Sequence, residues 1–313
     1  MEFGKEGIFQ TGNGPEGTHV EMPYSGIRSF LRRRVSQDFA GVDLAVLGVP
    51  FDLTTSGRSG ARFGPSALRE ASTQLAWGEV WPWGFDPFDH LSVIDCGDVP
   101  FRRGQINQMY EAATELARQI VASEAQTIML GGDHSCTYAM LKAHAERHGP
   151  LGLMQFDAHR DTQKSEFLDH GTFVHHAIKE GLIDPKRSIQ IGIRTFYDDD
   201  DDITVLYRDW LHDHSLADMQ RRISEVVGAG PAYLTIDIDS LDPAFAPGTG
   251  TPVVDGLAPN DIIRFLRSSM AIDFVGMDLV EVAPPYDPTG TTALLGASLI
   301  LEYICAVAAK RGA

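Results

Sequence analysis

Apolar residues gather in seven short, nearly continuous runs: LAVLGV (44–49), LSVID (91–95), TIML (127–130), LGLMQF (151–156), IQIGI (189–193), AYLTIDI (232–238) and FVGMDLV (274–280). Unbroken runs of this length predict strands covered on both faces. Between them, apolar residues recur at helical spacing in PSALREAST, MYEAATELARQIVAS, TYAMLKAHAERH, SLADMQRRISEVVG, PNDIIRFLRSS and TALLGASLILEYICAVAAK. Strand and helix alternating in this way predict an α/β fold, a mostly parallel sheet with helices on both sides. Residues 1–40 are rich in Gly, Pro and charge and read as an arm or surface segment. A length of 313 residues would allow two domains at roughly 150 residues each. The alternation never breaks, however, so 41–313 read as a single domain. The one biased tract is the acidic run Asp198–Asp202.

Composition narrows the partners. The formal net charge of −17 argues against nucleic acid and anionic membranes, both of which attract basic surfaces, and suits a small cationic substrate. The three cysteines, Cys96, Cys136 and Cys305, form neither a disulfide framework nor a zinc-type C-x-x-C. No uninterrupted apolar run reaches the roughly 18 residues of a membrane span, and the polar, Gly-rich start does not resemble a signal peptide. A reducing, cytoplasmic setting is expected.

In open parallel sheets, sites form beyond the carboxyl ends of the strands. The unusual polar residues fall there. TIML runs into Gly131-Gly132-Asp133-His134-Ser135, and LGLMQF into Asp157-Ala158-His159-Arg160-Asp161. AYLTI runs into Asp237-Ile238-Asp239, and FVGMDLV into Glu281. Residues two apart on an extended segment share a face, so Asp157, His159 and Asp161 should converge, as should Asp237 and Asp239. Any one of these is ordinarily a cap or a surface group. Together with His134 they would repel unless cations sat among them. Two imidazoles and four carboxylates without a thiolate suit Mn²⁺, with Ni²⁺, Co²⁺ or Zn²⁺ also within reach of this donor set. Four carboxylates are enough to hold two ions about 3.5–4 Å apart.

The segments GGDHS, FDAHRD, DIDSLDPAFAPGTGTP and DLVEVAPPYDP resemble the ureohydrolase family, which includes arginases, agmatinases and formiminoglutamases. GVPFDLTTSGRSGARFGPSALREAS (48–72), EFLDHGTF (166–173) and KEGLIDPKRSIQIGIRT (179–195) are similar to bacterial agmatinases in particular. The resemblance runs from about residue 40 to the carboxyl terminus. It implies a three-layer α/β/α fold around an eight-stranded parallel sheet, assembled as a homo-oligomer, a trimer or hexamer. It also implies two divalent ions per subunit on His134, Asp157, His159, Asp161, Asp237 and Asp239. Asp133 and Ser135 then flank the first ligand as supporting or capping groups. Glu281 matches the family glutamate that pairs with the substrate guanidinium, and His170 the proton-shuttling histidine. Asp161 would both ligate and accept a hydrogen bond from the attacking hydroxide.

The expected reaction is hydrolysis of a guanidino compound to urea and an amine, with agmatine giving putrescine in the context of polyamine synthesis. The stretch Thr162 to Asp169 reads TQKSEFLD; Glu166 and Asp169 favour a cationic tail, and Lys164 opposes it. Guanidinobutyrate, guanidinopropionate, arginine and a biguanide are the alternative substrates, and an inactive structural subunit the alternative role. A deacetylase-like amidohydrolase would use one zinc ion and lacks this ligand set. Arg160 departs from the threonine or similar small residue common inside this motif; it should point to the face opposite the metals, where it would either alter the pocket wall or pair with a nearby carboxylate. The acidic run reads as a solvated loop, Cys136 as a core residue, His175 and His176 as structural or surface groups, and His144 and His148 as solvated.

Overall fold

A computed structural model of the chain describes residues 23–24, 26–196 and 201–313. The strands are β1 (Arg34–Val35), β2 (Leu44–Gly48), β3 (Val93–Asp98), β4 (Gln126–Leu130) and β5 (Gly152–Phe156), followed by β6 (Ile189–Ile193), β7 (Thr204–Tyr207), β8 (Ala232–Asp237) and β9 (Phe274–Val280). They form one nine-stranded sheet in the order β1-β3-β2-β4-β9-β8-β5-β6-β7, and every pairing is parallel. Eight of these match the expected count; the ninth is the two-residue edge strand β1, contributed by the stretch read as an arm. Just before it, Phe30 and Leu31 are fully buried.

The helices are α1 (Gly64–Ser72), α2 (Ile106–Ala122), α3 (Cys136–His148), α4 (Phe173–Lys179), α5 (Arg208–Asp213), α6 (Leu216–Val227), α7 (Pro259–Ser268) and α8 (Thr291–Lys310). One apolar cluster joins the sheet to α1, α6, α7 and α8, and a second joins it to α2, α3 and α4. The sheet is therefore covered on both faces, which is why β2, β5, β6 and β8 are buried along their whole length. By length and composition α8 could cross a bilayer, yet 78% of its most apolar window is buried inside the fold. Its Leu299, Ile300 and Ile304 are fully buried, each worth roughly 1.5–3 kcal/mol relative to exposure.

His144 corrects an expectation. It is not solvated but fully buried, because α3 packs between α2 and α4 against the sheet and hides nearly all of its first nine residues. Its Nε2 lies 2.8 Å from Thr127 Oγ1 on β4, and burial, then His148, lowers its pKa to about 3. His148 itself is exposed, as expected.

Register places the site. Leu130, Leu279, Ile236 and Phe156 are partners across β4, β9, β8 and β5, four adjacent strands. These strands therefore leave the sheet at the same height, and the polar motifs that follow them emerge side by side.

Candidate metal centre

The loop after β4 carries Asp133, His134 and Ser135. It crosses directly over Phe51, where the Asp133 amide donates to the Phe51 carbonyl at 2.7 Å. Only glycine fits at 132, since a Cβ there would lie 1.7 Å from the Phe51 carbonyl oxygen. Asp133 is fully buried and turned away from the cluster. It accepts from the Thr54 amide at 3.0 Å, from Thr54 Oγ1 at 2.8 Å and from Ser135 Oγ at 2.5 Å. Its role is to tie the loop after β2 to the loop after β4.

The strand ends share a local device. Asp157 Oδ1 accepts from the His159 amide at 2.6 Å, and Asp237 Oδ1 from the Asp239 amide at 2.7 Å. Each carboxylate thus folds back on the backbone two residues later, forming an Asx turn. The expected convergence of Asp157, His159 and Asp161 occurs, but not by extended pleating. The chain bends at 158–159, and Asp161 turns back in left-handed backbone at φ 54°. Glu281 adopts the same unusual conformation at φ 62°, a cost that folds tolerate mainly where function needs it.

His134 is 1% exposed, with the Phe173 ring 4.4 Å from its own. Its Nδ1 lies 2.9 Å from Asp161 Oδ2, 3.1 Å from Asp157 Oδ2 and 3.3 Å from Asp237 Oδ2. None of these is aligned as a hydrogen-bond partner among the described residues, and the nitrogen is buried. On the other side of the ring, Nε2 lies 2.8 Å from Thr235 Oγ1. That hydroxyl donates to Asp278 Oδ1 at 2.5 Å, so it must accept from Nε2–H. The proton is therefore fixed on Nε2 and the lone pair on Nδ1 faces the three carboxylates. Backing of this kind orients a metal-binding imidazole.

His159 Nδ1 lies 3.0 Å from Asp239 Oδ2 and 3.5 Å from Asp157 Oδ1. Asp239 is held by the Ala158 amide at 3.1 Å and Thr251 Oγ1 at 3.1 Å. Two overlapping groups can each hold a metal ion, His134–Asp157–Asp237 and Asp157–His159–Asp239, with Asp157 common to both. Asp161 completes the first.

Electrostatics agree with cation binding. Burial, then Asp157, raises the Asp161 pKa to about 7. Burial, then Asp239 and Asp157, raises Asp237 well above the usual range. Burial, then Glu281, raises Asp133 to about 6. Asp157 goes the other way: burial raises it, but contacts with His134 and His159 more than reverse that. So many buried carboxylates are held ionised together only against positive charge. Without metal, burial would lower the His134 pKa, but these carboxylates raise it well above its usual value, and a metal ion would take the place of that proton on Nδ1. The residues fit a pair of divalent ions.

Glu281 stands at the edge of this cluster, 1% exposed. Its Oε1 accepts from the His134 amide at 3.0 Å and lies 3.0 Å from His170 Nδ1. His170 Nε2 accepts from the Ser56 amide at 2.9 Å, which assigns the ring proton to Nδ1, facing Glu281. Burial lowers the His170 pKa, and Glu281 outweighs it to raise the net value to about 9.

Of the flanking features, Lys164 and Glu166 are exposed, and the Asp169 carboxylate is engaged by the Gly171 amide at 2.9 Å. Arg160 is buried and points away from the cluster, onto Gln190 and Asp201. Of the acidic run, only Asp201 and Asp202 lie within the described residues. Cys96, Cys136 and Cys305 are free and buried. His175 and His176 are half-buried.

Several supporting residues escaped the sequence reading. Thr54 and Ser56 lie in the loop after β2, where Arg58 is pinned to the Thr249 and Gly250 carbonyls at 2.6 and 3.1 Å. Arg194 spends its guanidinium on backbone carbonyls, among them Asp239 at 2.7 Å, Val253 at 2.7 Å and Val254 at 3.0 Å. Thr235, Asp278, Gln155 and Gln190 carried a signal: each is a polar residue inside a fully buried strand run.

Comparison with known proteins agrees with this architecture. A curated agmatinase from Chromobacterium violaceum is 46% identical over 299 residues, 94% of this chain and 93% of its own. The X-ray structure of a hypothetical agmatinase from Burkholderia thailandensis superposes with a TM-score of 0.90 at 49% identity, covering 93% of both chains. The proclavaminate amidino hydrolase of Streptomyces clavuligerus superposes with a TM-score of 0.88 at 37% identity, covering 93% of this chain and all of its own. The family model described as the arginase family matches residues 42–306. The chain belongs to the arginase family.

Proposed function

We propose that the chain is an amidinohydrolase that cleaves agmatine to putrescine and urea with the help of two divalent ions, Mn²⁺ in the native protein. The observation that carries this reading is the meeting, beyond the carboxyl ends of the central strands, of two ion-holding groups that share Asp157 with the Glu281–His170 pair beside them. The agmatinases of Chromobacterium violaceum and Edwardsiella ictaluri, 46% and 49% identical over most of both chains, support agmatine as the substrate. A net charge of −17 suits a substrate cationic at both ends.

His134, Asp157, Asp161 and Asp237 would hold one ion and Asp157, His159 and Asp239 the other. The pair, when bound, supplies a water acidic enough to act as hydroxide at neutral pH. The Glu281 carboxylate meets the planar guanidinium and orients its carbon toward that water. Asp161 would accept a hydrogen bond from that water. Water adds to the guanidinium carbon, the bond from that carbon to the alkyl-bearing nitrogen breaks, and the leaving amine takes a proton. His170 would deliver that proton from Nε2 once that nitrogen gives up the bond it accepts from the Ser56 amide and is protonated, with Glu281 at Nδ1 stabilising the imidazolium. Glu281 favours that protonated form, raising the His170 pKa to about 9 against the effect of burial.

Residues 41–313 would act as one catalytic domain. The three free cysteines support a cytoplasmic setting. Large apolar side chains left exposed, such as Trp81, Phe167 and Phe196, support a homo-oligomer of the trimeric or hexameric kind the resemblance implies.

The test is urea release after Mn²⁺ loading, with agmatine compared at equal concentration against arginine, guanidinobutyrate and guanidinopropionate. Preferential urea from agmatine is expected. Preference for an acid-tailed guanidine would keep the chemistry and overturn the substrate.

A further inference from the structure

We propose that Arg160 and Asp201 form the outer end of a directional hydrogen-bond relay that positions Asp157 to be shared by the two ions. The proposal rests on the reading that Asp157 holds metal. It assigns a role to two features that the reaction leaves unused, the arginine inside the DAHRD motif and the end of the acidic run.

The relay can be followed atom by atom. Asp201 takes Arg160 Nη2 on both oxygens, at 2.6 and 2.8 Å, and is itself fixed by the Ile203 amide on Oδ1 at 3.1 Å. Arg160 Nε donates to Gln190 Oε1 at 2.9 Å. Gln190 Nε2 donates to Gln155 Oε1 at 2.8 Å and to the Arg160 carbonyl at 2.6 Å. Gln155 Nε2 donates to Asp157 Oδ2 at 2.7 Å. Both glutamines are fully buried and are cross-strand partners on β5 and β6.

The direction is dictated, not chosen. Which way a glutamine amide faces is ordinarily inferred from its neighbours, but a guanidinium offers donors only. Arg160 therefore compels Gln190 to present its oxygen outward and its nitrogen inward. Gln155 must then receive on its oxygen and donate to Asp157. A small residue at 160 would leave Gln190 Oε1 without its donor, so Gln190 would be held only through its nitrogen, by the residue-160 carbonyl and Gln155. In the opposite orientation, Gln155 would set its oxygen against the Asp157 carboxylate.

The consequence falls on the ligand. Asp157 Oδ1 is held by the His159 amide and Oδ2 by Gln155, while Oδ2 faces His134 Nδ1 and Oδ1 faces His159 Nδ1. Each oxygen is pinned from behind and turned to a different imidazole. Arg160, Gln190 and Asp201 are thus positioning residues, and the charge of Asp201 is spent on Arg160.

Equilibrium dialysis of the metal-free full-length protein against Mn²⁺, with the melting temperature of the metal-free form measured in parallel, tests this. Wild type is expected to take up two ions. Arg160→Lys keeps the charge but loses the Nε donor, and should weaken Mn²⁺ binding by about 10–100-fold, the usual effect of losing an outer partner. Asp201→Asn, which touches none of the ligands, should weaken it less, and Asp201→Glu should restore it. Wild-type affinity for both ions in Arg160→Lys and Asp201→Asn would overturn the proposal, whatever the melting temperatures do, because a purely structural ion pair moves stability alone. If Arg160→Lys does not fold, Asp201→Asn decides. Failure of wild type to bind two ions would overturn the functional reading instead.

Discussion

The two ion-holding groups each set one imidazole among carboxylates and share Asp157, with Asp161 adding a third carboxylate to the first, yet their imidazoles are set very differently. His134 is buried under Phe173, and its tautomer is fixed through Thr235 and Asp278. The His159 side chain is 20% exposed, at a bend beneath the loop whose Thr251 holds Asp239. Similar donors with different access imply unequal behaviour. On this account the inner group should keep its ion more firmly than the outer one.

Breaking both halves at once should have the largest effect. Asp157→Asn is expected to abolish binding of both ions and to lower kcat well beyond the roughly 10–100-fold that outer partners account for, measured as metal content and urea release. Separating the halves sharpens the comparison. His134→Ala should leave an enzyme that raised Mn²⁺ does not rescue, whereas His159→Ala should recover activity as Mn²⁺ is raised; an activity titration distinguishes them. Thr235→Val removes the backing of His134 alone. It should weaken the inner ion by about 10–100-fold without weakening the outer one, and Thr235→Ser should restore it.

The smallest effect is on stability against pH. The Asp161 pKa is raised from 3.8 to about 7 and that of His170 from 6.5 to about 9, so the metal-free fold binds these protons more tightly than the unfolded chain does. Their contribution is complete below the unfolded values. For Asp161 it is lost as pH rises from about 4 to 7, and for His170 from about 6.5 to 9. The melting temperature of the metal-free protein should therefore fall by a few degrees between pH 6 and 9, and calorimetry with Mn²⁺ should show that fall removed, since metal displaces protons.

The sequence made the sheet and its rim legible to different depths. Seven apolar runs correspond to β2, β3, β4, β5, β6, β8 and β9, because strands covered on both faces leave a continuous apolar trace. β1, of two residues, and β7, of four, lie on the sheet edges, where little burial is required and the pattern fades. The strand-end motifs marked where His134, Asp157, His159, Asp161, Asp237, Asp239 and Glu281 meet, though left-handed turns at Asp161 and Glu281, not strand pleating, bring them there. Least visible was the row beneath them. Gln190, Gln155, Thr235 and Asp278 are cross-strand partners in one line. Each is a polar residue within an apolar run, but their alignment depends on strand order and register, which local pattern does not contain. His144 misled for a related reason: a helix buried on nearly every side has no polar face to read.

The most direct test of the two-ion account is anomalous diffraction at the manganese edge from crystals soaked in Mn²⁺. The account predicts two peaks per chain about 3.5–4 Å apart, both touching Asp157, one against His134 Nδ1 and the other against His159 Nδ1. A single peak, or peaks out of reach of Asp157, would contradict it.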